Sequence, residues 1–402
     1  MTLSDPAVAQ RTRTDGLDTL RALAIVLVFV YHYRIFVSRA PDLGWLAVIG
    51  WTGVDLFFVL SGYLIANQLL TGLVRGRTLS LRSFFARRAL RTLPVYWVVL
   101  AAYFCWPGEM GGRTPPPLWR FLSFTQNIGL QPGTAFSHAW SLCIEEQFYL
   151  VLPLLLVAGQ RWRLGARAGW ALMAALLLLG IATRCWLWLR FGREADDQLD
   201  RYYAWVYYGT PTRFDEFLPG VALAVLKNAH PAAWARLMRH GQALLLAGLV
   251  ATGLMFWGLH ERYYIDGYGY GFAMSAFGYS LMAMAFGLLV AAALSPQSWL
   301  HRLRVPGAYQ LALWSYAIYL SHKPLGVVLK AQLAPLAPPA WAQFALIALA
   351  SIALSALLQR LVEAPFMAWR NRRWPSLFAG PQPATASRSL PPSAARSADA
   401  VR

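Results

Sequence analysis

The sequence predicts an all-α polytopic membrane bundle of about ten transmembrane helices with both termini cytoplasmic. Three observations carry that reading. Of 402 residues, 57% are hydrophobic and only 13% are charged, whereas soluble domains carry roughly 25% charged residues. Ten stretches approach the roughly 20 apolar residues that a spanning helix needs. The basic residues also fall on alternate sides of those ten stretches.

The net charge of +18 would suggest nucleic acid in a soluble chain. Here its placement decides otherwise. On the side of the N-terminal tail the loops hold 23 Lys and Arg, and on the other side 9. The remaining four, Arg21, Arg184, Arg213 and Lys323, lie within or at the ends of helices. The positive-inside bias therefore makes the richer side cytoplasmic, and no nucleic-acid partner is expected. The three cysteines, Cys105, Cys143 and Cys185, form neither a disulfide framework nor a zinc spacing.

The predicted spans run over residues 20–38, 52–71, 92–106, 140–158, 168–190, 213–227, 241–259, 272–294, 308–330 and 341–361. The third and sixth are short or mixed. The first run lacks a small-residue cleavage site and reads as a retained anchor rather than a signal peptide. Between spans lie a proline-rich stretch (Thr114–Leu118), an acidic loop (Glu194 to Asp200), a tyrosine-rich loop (Tyr263 to Tyr270) and a second proline cluster (Pro335–Pro339). Residues 1–373 read as the transmembrane domain. Residues 374–402, rich in Pro, Ala, Ser and Arg, read as a disordered cytoplasmic tail.

Ionisable residues inside a membrane are functional candidates by default. In the first span, Arg21 and His32 are eleven positions apart, three turns plus roughly 20°, so they share one face about 16 Å apart. The second span opens GVDLFFVLSGYLI, where Asp55 reads first as a helix-start residue and Ser61-Gly62 as a close-packing site. Arg87, Arg88 and Arg91 stand just before an apolar helix. Positive-inside bias accounts for them, and so does a phosphorylated cytosolic ligand gripped by guanidinium forks. The fourth span opens HAWSLCIEEQFYL, placing Glu145 and Glu146 about 7 Å into the helix. Glu145 is four residues after Ser141, which excludes a capping box. Arg213 and Asp215 open the sixth span and are expected to pair with each other. Arg184 has the means to bind an anion or carboxylate, and His322 lies at comparable depth in the ninth span. His32, Asp55, Glu145, Arg213, Asp215 and His322 are thus expected in the outer half, with Arg21 and the arginine cluster on the inner side.

Six ordered stretches resemble the membrane-bound acyltransferase-3 family, which includes O-antigen and exopolysaccharide O-acetylases. They are DGLDTLRALAIVLVFVYH, GVDLFFVLSGYLI, FFARRALRTLPVY, HAWSLCIEEQFYL, RFDEFLPGVALA and SYAIYLSHKPL, spread over nearly the whole chain except the tail. The resemblance implies a ten-helix bundle in a bacterial-type inner membrane. It implies an enzyme moving an acyl group, often acetyl, from cytosolic acyl-CoA to a hydroxyl of an extracytoplasmic glycan or small molecule. Acyl-CoA is then a co-substrate, with no bound cofactor or metal expected, and membrane lipid is the surrounding partner. Carried over by position, His32 matches the essential histidine and Arg21 the preceding basic residue. Arg87, Arg88 and Arg91 match the Arg-Arg-x-x-Arg motif associated with acyl-CoA, and Ser141 and Glu145 match Ser-Leu-x-x-Glu.

Two positions depart from the family pattern: Ser321 stands where an aromatic residue is expected, and Lys323 where tryptophan is common. No C-terminal hydrolase-like domain of the kind some relatives carry is expected. His32 is expected to act as general base on the acceptor hydroxyl, with Glu145 orienting or stabilising its imidazolium; a covalent acyl-histidine is the variant. The alternative class is a proton-coupled transporter, with His32 and Glu145 as relay and the arginines as substrate hooks, and a structural role in a glycan-export complex is a third.

Overall fold

A computed structural model of the chain describes residues 14–39, 44–193 and 198–378. Helix α1 (Asp15–His32) carries Asp15 and Asp18 in its first turn, where carboxylates favour the positive end of the helix dipole. At His32 the α-helix widens into a π-helical turn, Tyr33–Ser38, a distortion common at functional sites. Helix α2 (Gly53–Leu73) follows a 3-10 turn. Helix α3 (Leu81–Cys105) is capped by Ser80, whose hydroxyl accepts from the Ser83 amide at 3.3 Å. After a long connection come α4 (Trp140–Arg161) and α5 (Ala166–Phe191).

The 3-10 turn Phe214–Phe217 leads into α6 (Leu218–Ala229), which has proline in its first turn, where a missing amide hydrogen costs nothing. Then follow α7 (Gly241–Arg262), α8 (Tyr279–Leu294), α9 (Ala308–Leu333) and α10 (Ala340–Leu358). A π-helical turn, Gln359–Glu363, joins α10 to α11 (Ala364–Arg373). The tyrosine-rich loop forms a short antiparallel hairpin, with Tyr264 opposite Tyr270.

Helices α1, α2, α8 and α9 form the interior. The most apolar window of the span containing α2 is 78% buried, against 17% for the span of α10 and α11. The outer helices α5, α7 and α10 expose Leu178, Leu246, Leu254 and Leu349, as lipid-facing surfaces do. Among lipid tails no hydrophobic force draws helices together, so packing and interhelical hydrogen bonds must hold them. The α2–α6 crossing depends on small residues: a Cβ at Gly220 would stand 2.0 Å from the Val59 carbonyl oxygen, and one at Gly62 2.3 Å from that of Phe217. The close-packing role expected of Gly62 is therefore present.

The chain is an all-α polytopic membrane protein. Among the described residues, seven helices are long and apolar enough to cross a membrane by length and composition. The other three expected spans are helical but fall short for different reasons. Helix α3 carries Arg82, Arg87, Arg88 and Arg91 in its first half. Helix α9 buries Ser315, Ser321, His322 and Lys323. Helix α6 has 12 residues, too short alone for a hydrocarbon core of about 30 Å.

The tail expected to begin at 374 is anchored at its start. The Ser80 amide donates to the Leu377 carbonyl at 2.9 Å, Leu79 pairs with Phe378, and Arg87 donates to the Trp374 carbonyl. The remainder of that tail, and most of the acidic loop (Glu194, Asp196 and Asp197), lie outside the described residues.

Candidate active site

A cavity of about 420 Å³ opens between α1, α2, α3, α4, α9 and the α11 end. Arg21, Arg87, Arg88, Arg91 and Arg370 line it against a single carboxylate, Glu145. Helical spacing contributes to the concentration: on α3, Arg91 is a neighbour of both Arg88 (i, i+3) and Arg87 (i, i+4), and α1 brings in Arg21. Glu363 lies 3.8 Å from Arg91. Arg88 stacks 3.8 Å from the Tyr149 ring centroid, a geometry that uses the guanidinium face and leaves its edge for an anion.

At the polar end of the cavity, Glu145 accepts from Ser61 at 3.2 Å and from Tyr149 at 3.0 Å. Tyr149 is four residues beyond Glu145 on α4, so the two share one face. Ser141 lies beside them and donates to the Tyr319 hydroxyl at 2.6 Å, while Tyr319 donates to the His138 carbonyl.

Behind Tyr319 stands a buried cluster of three histidines. The rings of His32 and His322 stack with centroids 5.0 Å apart, and His138 sits 5.8 Å and 5.7 Å from them. Their proton positions follow from the acceptors. A carbonyl oxygen only accepts, so His322 donates Nδ1–H to Ile318 O at 2.7 Å. Neutral His322 then has a lone pair at Nε2, which lies 2.8 Å from His32 Nδ1. His32 donates there, and its own Nε2 keeps the free lone pair of a base. His138 Nε2 faces Leu320 O at 3.2 Å, and its Nδ1 is buried without a partner.

Three sequence expectations change. Among the described residues no hydrogen bond or ion pair joins Glu145 to His32: Glu145 accepts from Ser61 and Tyr149, and it is His322 that meets His32 Nδ1. Glu145 instead joins the arginines in the cavity, across the inner–outer division expected from depth. Arg213 does not pair with Asp215. It binds Asp55 and Glu216, while Arg184 takes Asp215 in a two-pronged pair at 2.7 and 2.9 Å. The 3-10 turn is the reason: at three residues per turn, Glu216 falls back over Arg213 while Asp215 projects elsewhere. These two networks are fully buried and do not line the cavity. Among the described residues no cluster of His, Cys, Asp and Glu could hold a metal ion.

The family profile described as "Acyltransferase domain" matches residues 14–360. The chain belongs to the acyltransferase-3 family. Among curated proteins it is 28% identical over 379 residues to the peptidoglycan O-acetyltransferase OatA of Listeria monocytogenes, covering 88% of this chain and 56% of that protein. It is 28% identical to the putative peptidoglycan O-acetyltransferase YrhL of Bacillus subtilis, covering 87% and 54%. It is also 26% identical to a putative O-acetyltransferase of Staphylococcus aureus strain COL, covering 87% and 57%. The chain thus spans somewhat over half the length of these relatives. No solved structure matches.

The matched region contains His32, the α3 arginines, Ser141, Glu145 and His322, and ends before Arg370. Sequence reasoning passed over His138, Tyr149, Tyr319, Glu216 and Arg370 as site or network residues. Tyr149 was findable from its spacing to Glu145, and Tyr319 from its place one turn before His322. Nothing local in the sequence ties Arg370 to α3.

Proposed function

We propose that the protein is a membrane O-acyltransferase moving an acetyl group from cytosolic acetyl-CoA to a hydroxyl of an extracytoplasmic envelope glycan. One observation carries this reading. A single cavity sets five arginines against one carboxylate, and its polar end is separated by Tyr319 from a histidine whose hydrogen bonding leaves a basic nitrogen free. Guanidinium groups suit the phosphates of a CoA donor, and a neutral oriented imidazole suits proton removal from a hydroxyl. The inner end of the arginine cavity faces the cytosol in this reading, by the positive-inside bias of the loops. Its relatives that are peptidoglycan O-acetyltransferases by name make peptidoglycan the first acceptor to try.

In the chemical step, His32 Nε2 takes the proton of the acceptor hydroxyl as its oxygen attacks the thioester carbonyl. The new ester C–O bond forms, the C–S bond breaks, and the proton passes from the imidazolium to the CoA thiolate. Arg21, Arg87, Arg88 and Arg91 hold the donor, and Ser141 with Tyr319 marks the passage toward His32. Asp55, Arg213 and Asp215 hold the helices that frame the site. The test is release of free CoA thiol from acetyl-CoA by protein reconstituted in liposomes, with and without peptidoglycan fragments. Fragment-dependent release, with matching ester in the fragments, is expected. An intact thioester under both conditions, while the protein takes up a solute, would replace the enzyme with a transporter.

A further inference from the structure

Lys323, which stands where tryptophan is common in the family, is 3% exposed in α9, and its Nζ has no hydrogen-bond partner. It lies over the Phe36 ring, 4.0 Å from the centroid. A ring face attracts a cation but does not neutralise it. An ammonium buried without a counter-charge is strongly unfavourable, so an anion is needed to complete the site.

The surroundings of Lys323 set that anion beside the reacting histidine. Phe36 belongs to the π-helical turn after His32, and the two rings have centroids 5.4 Å apart. The Lys323 charge acts on His32, His138 and His322. Along α9 the residues lining the arginine cavity are Ser315, Tyr316 and Tyr319, and Lys323 follows one turn later. Neither Lys323 nor any of the three histidines lines that cavity.

Pro324 leads to a second unpaired group. Lacking an amide hydrogen, it leaves the Leu320 carbonyl without its helical donor, and His138 Nε2 takes that place at 3.2 Å. A carbonyl oxygen only accepts, so His138 is protonated on Nε2. Its buried, unpartnered Nδ1 therefore carries a lone pair. One cluster thus offers an ammonium that donates, an imidazole nitrogen that accepts, and the basic His32 Nε2. A sugar with a carboxylate and free hydroxyls complements all three. One ammonium balances one negative charge, which fits a carboxylate better than a phosphate monoester of about −1.5 to −2.

We propose that Lys323 binds the carboxylate of an acidic acceptor sugar and so makes the protein select uronic- or muramic-type acceptors over neutral ones. This rests on the acyl-transfer reading above. The carboxylate also serves the chemical step. Once His32 takes the acceptor proton, it and Lys323 are two neighbouring cations, and the bound carboxylate offsets their repulsion.

The test gives full-length protein in proteoliposomes labelled acetyl-CoA and two acidic probes, an oligogalacturonate and the N-acetylglucosaminyl-N-acetylmuramic acid disaccharide. Each is paired with its primary amide, which removes the charge and adds no hydroxyl. Wild type is expected to acetylate at least one acid about tenfold or more faster than its amide, the worth of one charge-assisted hydrogen bond. Lys323→Met and Lys323→Gln both lack the charge and are expected to treat acid and amide alike. Equal transfer to acids and amides by wild type would overturn the assignment, as would transfer to neither acid while the thioester is still consumed. Variants that slow both forms but keep the preference for the acid would also overturn it, because packing or stabilisation of the reacting thioester does not read the carboxylate. A wild-type protein that leaves the thioester intact throughout would remove the acyltransferase reading as well.

Discussion

Replacing His322 by alanine removes the acceptor that fixes the His32 tautomer. The His32 Nδ1–H now meets His322 Nε2 at 2.8 Å, and His322 is itself held by the Ile318 carbonyl at 2.7 Å. Without the acceptor, a buried N–H is left unpaired, which costs roughly 1–3 kcal/mol. The imidazole then has reason to turn or to shift its proton to Nε2, where it no longer serves as a base. A cost of about 1.4–2.8 kcal/mol paid in the productive state corresponds to a 10–100-fold lower kcat. The donor KM should change little, because His322 does not line the arginine cavity.

His322→Gln separates orientation from packing. Its side-chain oxygen reaches about as far as Nε2 and can accept the same proton, so this variant should keep most of the activity His322→Ala loses. The assay is the steady-state rate of labelled acetyl transfer to glycan at varied donor concentration, with thermal unfolding as the check on folding. If His322→Ala keeps wild-type kcat, or His322→Gln is as impaired as His322→Ala in an equally stable protein, the tautomer argument is wrong.

Arg88→Ala removes a guanidinium stacked on Tyr149 in the cavity wall and should raise the apparent donor KM about tenfold or more; an unchanged KM would argue against the arginine wall as the donor site. Arg213→Met strands Asp55 and Glu216 without their buried cation, and breaking such a pair costs about 3–5 kcal/mol. Its thermal unfolding in detergent should therefore drop by several degrees relative to wild type, and a wild-type midpoint would show that these carboxylates have another partner.

The helices were legible because apolar runs of sufficient length have few other uses. The polar interior was legible only in part. Arg21, Arg87, Arg88 and Arg91 could be grouped on the inner side because their places near helix starts fix their depth, but their meeting in one cavity could not. Partner choice between helices followed different rules. Arg213 and Asp215 are near in sequence, but the 3-10 turn Phe214–Phe217 sends them to different partners. Glu145 and His32 seemed suited to each other as carboxylate and imidazole, yet α4 aims Glu145 at Ser61 and α9 supplies His322 instead. Such contacts, between residues such as 32 and 322, depend on how helices cross, and periodicity within one helix carries no record of that. Arg370 was hidden for the same reason: only the return of α11 onto α3 brings it to the cavity.

The central claim is that His32 accepts the proton that allows acyl transfer. Its most direct test compares wild type with His32→Ala in proteoliposomes given acetyl-CoA labelled in the acetyl carbon, together with peptidoglycan fragments. The account predicts that ester-linked label accumulates in the fragments with wild type and stays at background with His32→Ala, while both proteins insert and bind donor equally. Equal labelling by the two proteins would contradict it.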